Sequence, residues 1–174
     1  IFDANQKSKT LLNLTNYRQL LNSKNSPIKN YKSITVLVMS FLYVFIGVKH
    51  FIDPQYFINI TPPQIEYKSF AVYFTGVLEI VGGLLMLNIK TRKIGAYTLI
   101  FLLIIVFPAN IYLYLSETPQ HLLGISKTKA LIRMPFQAPL ILLAYWHSKE
   151  KHPKWIDYLA AIVFVPTIIY FVSI

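Results

Sequence analysis

Glu79 lies in the middle of the stretch Gly76-Val77-Leu78-Glu79-Ile80-Val81-Gly82-Gly83, inside an apolar run that extends over residues 70–89. A run of this kind is typical of a membrane-spanning helix, which needs about 20 apolar residues to cross the hydrocarbon. Gly76, Glu79 and Gly83 share one face of such a helix, and small residues allow a neighbouring helix to approach closely. An ionisable side chain costs roughly 2.5–3.5 kcal/mol on insertion at this depth, so we expect Glu79 to have a polar partner.

The composition of the chain is that of a membrane protein. Its 174 residues are 55% hydrophobic and 14% charged, whereas a soluble domain carries about 25% charged residues. The sequence contains no cysteine, which excludes disulfides, thiolate metal sites and iron–sulfur clusters held by this chain alone. The net charge is +10, but the basic residues are spread over several loops, so we expect no nucleic-acid partner.

Five runs reach the length of a membrane span and define the predicted organisation. Residues 1–32 are predicted to be a basic leader, either flexible or a short helix on the membrane surface, and residues 33–147 a four-span core. Residues 148–174 are predicted to be a loop and a fifth transmembrane helix. The fold class is therefore predicted to be all-α and integral to the membrane, a four-helix bundle plus a fifth C-terminal helix. The predicted spans are 33–52, 69–89, 94–115, 130–147 and 155–174.

The loops predict the orientation of these spans. Most of the 17 Lys and Arg residues lie in the leader and in the loops around residues 90–93 and 148–154, which are on the same side of the membrane if the spans alternate. Basic loops remain in the cytoplasm, so we expect the N-terminus inside and the C-terminus outside.

Five polar side chains are predicted to lie in the outer half of the membrane. A rise of 1.5 Å per residue from the outer end of each span places Glu79 near the midplane and the other four nearer the surface. We expect Arg133 to point inward and pair with Glu79, directly or through Gln137 or water. The five residues are His50, Glu79, Asn110, Arg133 and Gln137.

The small residues and prolines of the spans support this clustering. Tyr43, Gly47 and His50 share a face of the first span. We interpret Gly47, Gly76, Gly82 and Gly83 as helix-packing positions. Prolines bend helices and free carbonyl groups, and the third and fourth spans are expected to bend around the cluster at the prolines they contain, Pro108, Pro135 and Pro139.

The polar cluster has two interpretations. It can hold the bundle together, or it can form a pocket for a quinone head group, a lipid head group or a small anion. The histidines show no metal-ligand spacing, so we expect no metal site. No cofactor is identified from the sequence, and quinone and lipid are the candidate ligands.

Together these motifs resemble the DoxX-like family of small bacterial membrane proteins, over about residues 33–147. The resemblance implies a four-helix bundle in the bacterial inner membrane. The family takes its name from similarity to a subunit of a thiosulfate:quinone oxidoreductase, and other relatives are associated with redox complexes. The matching features are Gly47-Val48-Lys49-His50-Phe51 with Pro54 and Phe57, Gly76 with Glu79-Ile80 and Gly82-Gly83, Phe107-Pro108-Ala109-Asn110-Ile111, and Arg133 with Pro135 and Gln137.

Three functions follow as hypotheses. The leading one is an accessory or structural subunit of a larger membrane complex, with a quinone-linked respiratory complex as the candidate and no catalytic activity of its own. Its partners would be membrane lipid and the other subunits. The alternative is a small quinone- or sulfur-compound-dependent oxidoreductase, in which the polar cluster binds the substrate and His50 handles protons. The third is a proton-coupled transporter that uses Glu79.

Overall fold

The structure is a computed structural model that describes residues 27–172 together with Lys9. All regular secondary structure in the described residues is helical. Of the predicted leader, residues 1–26 lie outside the described residues, apart from Lys9. Its last six residues, 27–32, belong to the first helix. Residues 35–172 form one compact unit, and every contact reported below lies within it. The helices are α1 (Pro27–Ile52), α2 (Pro54–Asn59), α3 (Lys68–Leu87), α4 (Arg92–Leu115), α5 (Glu117–Leu123), α6 (Lys127–Ser148) and α7 (Lys154–Val172).

Four of the described helices are long and apolar enough to cross a membrane, so the chain is a multi-pass membrane protein. They correspond to the predicted first, second, third and fifth spans, with small shifts of their ends. Many large apolar side chains on them are exposed, for example Phe41 and Ile162, as expected of a surface that faces lipid. The four membrane-spanning segments are Asn30–Ile52, Lys68–Leu87, Arg92–Leu115 and Lys154–Phe171.

The predicted fourth span is a helix, α6, but it does not reach the hydropathy of the other four. It carries Lys127, Lys129 and Arg133, and it buries the polar side chains of Gln137 and His147. Helix α6 packs against both α4 and α7. Gln137 and His147 have partners on α4 and α1, so the helix does not need an apolar surface at these positions.

Glycines bring α1 and α3 into backbone contact. A Cβ atom added to Gly76 would lie 2.6 Å from the Cβ of His50, and one added to Gly47 would lie 2.8 Å from the Gly76 carbonyl oxygen. A Cβ on Gly83 would meet the Ser40 carbonyl oxygen at 2.9 Å. These separations leave no space for a side chain, so the three glycines fix how closely the two helices pack.

A second glycine contact joins α3 to α4. Gly82 packs against the side chain of Leu99, and a Cβ added to Gly95 would lie 2.6 Å from the Gly82 carbonyl oxygen. Leu99 and Met86 are fully buried beside this contact. The turn that follows α3 is closed by the Thr91 hydroxyl, which donates to the Leu85 carbonyl at 2.8 Å.

Hydrogen bonds of polar side chains hold the helices together at the end of the bundle where α6 is connected to α7. The Trp146 indole N–H donates to the Asp157 carboxylate at 2.6 Å, and a ring nitrogen of His152 lies 2.8 Å from the Trp146 carbonyl oxygen. The buried Thr35 hydroxyl and the His147 Nε2 atom are 3.0 Å apart and link α1 to α6. These bonds satisfy polar groups that are buried or partly buried at this end of the bundle.

The opposite end carries the two short helices, α2 and α5. A small apolar cluster forms there from Ile60, Leu113 and Ala130, which belong to the loop after α2, to α4 and to α6. Tyr56 and Phe57 of α2 pack against this cluster. Helix α2 is therefore seated over the ends of α4 and α6, and we call this end of the bundle the α2 end.

Replacing Gly95 with alanine is expected to destabilise the bundle. The new Cβ would lie 2.6 Å from the Gly82 carbonyl oxygen and 2.7 Å from the Met86 amide nitrogen, and both are backbone atoms. Overpacking costs about 1–3 kcal/mol, more than the ~1 kcal/mol that alanine gains over glycine in a helix. We expect a lower midpoint of thermal unfolding in detergent for Gly95→Ala.

The matched control is Val81→Ala, which shortens a side chain that is 43% exposed on α3. Its unfolding midpoint should stay close to that of the unmodified protein. A Gly95→Ala protein as stable as the unmodified one would contradict the close packing of α3 and α4.

Candidate functional site

A cavity of about 390 Å³ lies in the half of the bundle nearer the α2 end. Its sides are formed by α1, α3, α4 and α6, and the loop after α2 covers it. Helix α7 contributes Phe171 to the wall. Most of the lining is aliphatic or aromatic, for example Leu42, Ile46, Val106 and Leu140.

The five polar side chains singled out in the sequence all line this cavity. His50 comes from α1, Glu79 from α3, Asn110 from α4, and Arg133 and Gln137 from α6. The fold therefore places residues more than 80 positions apart in the sequence around the same cavity. Among the described residues no group of three or more His, Asp or Glu side chains could hold a metal ion.

His50 is the partner of Glu79. The Nδ1 atom of His50 lies 3.2 Å from Oε2 of Glu79, and both side chains are largely buried. The same Nδ1 atom lies 3.0 Å from the Ile46 carbonyl oxygen. Because a carbonyl oxygen can only accept, this hydrogen bond requires a proton on Nδ1. Phe57 stacks on the imidazole with 3.5 Å between the ring centroids and 19° between the planes.

The direct pair expected between Glu79 and Arg133 does not form. Arg133 instead donates from Nη1 to the Tyr56 hydroxyl at 3.0 Å. Two constraints explain the difference. Glu79 faces α1, because the glycine contact brings its Cβ to within 3.0 Å of the Cβ position of Gly47. Arg133 lies nearer the α2 end of the bundle, where the Tyr56 hydroxyl of α2 accepts its hydrogen bond in place of the Glu79 carboxylate.

The two amides of the cluster bond to each other. Asn110 Nδ2 donates to Gln137 Oε1 at 3.2 Å, and Gln137 Nε2 donates to the Leu103 carbonyl. These bonds join α4 to α6 in the wall of the cavity. Pro108 lies within α4 and Pro135 within α6, and both helices continue through these prolines.

Two buried oxygen atoms that line the cavity have no hydrogen-bond partner among the described residues. They are the hydroxyl oxygen of Tyr43 and Oε2 of Glu79, which lies 3.2 Å from His50 Nδ1 but makes no hydrogen bond with it, because the Nδ1 proton points to the Ile46 carbonyl oxygen. Tyr43 is 4% exposed, and Glu79 is 13% exposed. Buried polar atoms are nearly always hydrogen-bonded, so each exception indicates a missing partner.

Four aromatic residues beyond the predicted cluster line the cavity, namely Tyr43, Phe57, Phe74 and Phe171, and Tyr56 is joined to the site by its bond to Arg133. Tyr43 shares a helical face with His50, and this spacing is visible in the sequence. Phe57 belongs to the motif that carries the DoxX-like resemblance. Tyr56 and Phe171 have no such signal, because nothing in the order of residues places α2 or the end of α7 over the cavity.

The fold and the cavity define the class: a multi-pass helical membrane protein with a partly polar pocket between its helices. The chain belongs to the family described as "Domain of unknown function (DUF8561)", whose model matches residues 39–148, more than half of the chain. The matched region contains every residue that lines the cavity except Phe171. Comparisons with curated proteins and with solved structures gave no significant match.

Replacing Gln137 with leucine is expected to destabilise the contact between α4 and α6. Leucine has a similar size but cannot accept from Asn110, whose amide would lose its partner in a part-buried position. An unsatisfied donor of this kind costs about 1–3 kcal/mol. Thermal unfolding of the purified protein in detergent measures the loss.

The control is Gln55→Leu, which removes an exposed amide that bonds to Asn59 on the same short helix. We expect this variant to unfold close to the unmodified protein. Equal midpoints for Gln137→Leu and Gln55→Leu would show that the buried amide pair adds no stability.

Proposed function

We propose that this protein is a membrane subunit whose pocket binds the polar ring of a lipid-soluble, quinone-type molecule. The observation that carries the proposal is the hydroxyl group of Tyr43, which is buried in the wall of the cavity and has no hydrogen-bond partner among the described residues. A tyrosine hydroxyl can donate a hydrogen bond, and a quinone carbonyl oxygen can accept it. A ligand at this position would supply the partner that the hydroxyl of Tyr43 lacks in the protein.

The size and lining of the cavity support this ligand class. Pockets for small molecules hold about 300–1,000 Å³ and are mostly apolar, with a few polar groups that fix orientation. The cavity of about 390 Å³ lies at the lower end of that range and has the same composition. A neutral ring with an apolar substituent fits these walls.

The site also supports a role for His50 and Glu79 in ligand chemistry. Both side chains can exchange protons, they are 3.2 Å apart, and both line the cavity. This observation favours the second candidate, in which the chain is itself a small quinone-dependent oxidoreductase and the pair handles the protons of its substrate.

We place the protein in a larger complex as an accessory subunit because of its resemblance to DoxX-like proteins, some of which are associated with redox complexes. A quinone-linked respiratory complex is the candidate. In keeping with the basic loops, we propose a bacterial inner membrane location with the N-terminus in the cytoplasm and α6 as a further span.

Tyr43→Phe is expected to weaken quinone binding. The variant removes one hydroxyl, and a hydrogen bond of this kind contributes about 0.5–1.5 kcal/mol, or roughly 2- to 13-fold in affinity. Decylubiquinone can be titrated into the purified protein in detergent, with the rise in the midpoint of thermal unfolding as the readout. The half-saturating concentration should increase by that factor.

Tyr73→Phe is the matched control, because Tyr73 is 40% exposed on α3 and does not line the cavity. Its titration should match that of the unmodified protein. The proposal fails if the unmodified protein shows no shift, or if Tyr43→Phe and Tyr73→Phe bind alike.

The accessory role is tested separately by extraction of native membranes in a mild detergent, followed by native gel electrophoresis and proteomics of the band. An accessory subunit should migrate in a large band together with redox subunits. A small band that contains only this chain with bound quinone would favour the oxidoreductase alternative.

A further inference from the structure

A positive charge lies in the wall of the pocket without an acidic partner among the described residues. Arg133 lines the cavity near the α2 end of the bundle, and its side chain is partly buried. Arg133 makes no salt bridge in the described part of the chain, and the carboxyl group of Glu79 lies against His50 instead, with 3.2 Å between Oε2 and Nδ1. The bond that the structure gives the guanidinium goes to the neutral hydroxyl of Tyr56.

An arginine in this position needs a negative partner. A guanidinium stays cationic in proteins and offers five N–H donors in a planar fork, of which the Tyr56 contact uses one. A charge inside the membrane is expensive unless a counter-charge or water meets it. The partner that suits this geometry best is an oxyanion, because carboxylate and phosphate oxygens can bind two N–H groups at once.

Tyr56 adds a second donor at the same place. Its hydroxyl oxygen accepts from Arg133, which leaves its own O–H proton to donate to a nearby acceptor. Apolar surface adjoins these donors. Phe171 lines the cavity, and the preceding Tyr170 stacks on Phe136 of α6 with 4.0 Å between the ring centroids. An acyl chain bound next to the oxyanion would meet this surface.

We propose that Arg133 and Tyr56 form an oxyanion-binding subsite at the α2 end of the pocket, which recognises the phosphate of a phospholipid head group or an equivalent free oxyanion. The subsite is separate from the position proposed for the quinone ring, which depends on Tyr43 and Glu79. It goes beyond the proposed function, because it makes a charged lipid or anion a second ligand of the same protein.

The test uses the full chain in a maltoside detergent and a buffer without phosphate. The probes are dihexanoylphosphatidylglycerol and, in a separate titration, inorganic phosphate, and the readout is the midpoint of thermal unfolding. We expect the phospholipid to raise the midpoint, and its half-saturating concentration to be at least about tenfold higher in Arg133→Gln. Lys129→Gln, which removes an exposed charge one turn away, should behave as the unmodified protein does.

The two sources of the oxyanion give different results. A shift with phospholipid alone identifies a lipid head group, and an equal shift with inorganic phosphate identifies a free anion; both support the subsite. The proposal is overturned if neither probe shifts the unmodified protein, or if Arg133→Gln and Lys129→Gln respond alike.

Tyr56→Phe keeps the test decisive if Arg133→Gln does not fold. It retains the arginine and removes the second donor, so the half-saturating concentration for phospholipid should rise about 2- to 13-fold, and an unchanged value would overturn the subsite. Decylubiquinone titrated into the same variant separates the two proposals. Loss of phospholipid binding with intact quinone binding is the expected result.

Discussion

The contact of α1 with α3 at Gly47 and Gly76 is the constraint on which the rest of the site depends. Two helices that touch through backbone atoms fix the positions of the side chains that border the contact. One of those side chains is Glu79 and another is His50, which lie 3.2 Å apart. Helix packing therefore determines which side chain lies beside Glu79.

The pocket combines two chemical environments. Near Tyr43 and Glu79 it presents buried oxygen atoms, and near Arg133 and Tyr56 it presents a cation with a hydroxyl. The amides of Asn110 and Gln137 bond to each other in its wall. Polar groups in such a space are costly without partners, and a ligand with matching groups would remove this cost.

Much of the helical architecture could be predicted from the sequence, because apolar runs of membrane length and glycine spacing are local signals. The position of the polar residues along their spans also indicated that they lie in the same half of the membrane. Depth alone does not specify which way a side chain points around its helix axis, and this is why Arg133 was paired with Glu79. The hydroxyl that accepts from Arg133 belongs to Tyr56, in a six-residue helix between two spans. A helix this short shows no hydrophobic periodicity from which its position could be predicted.

Hydropathy describes α6 less well than the other long helices, for a related reason. A helix surrounded by protein can carry charged and amide side chains that meet partners on its neighbours. In the sequence, such a helix is indicated more by its length between turns, here Lys127–Ser148, than by its apolar content. Phe171 gave no signal at all, because an aromatic residue near the end of an apolar helix resembles any lipid-facing residue.

Phe171 lies outside the region that the family model matches, whereas all the other residues that line the cavity lie inside it. The side chains that would recognise a ligand chemically lie inside the region matched by the family model, residues 39–148, while one wall of the space comes from a helix beyond it. A change in the last helix could thus alter the shape of the accepted ligand and leave its recognition chemistry intact. Proteins with the same polar residues but a different C-terminal segment need not share a ligand.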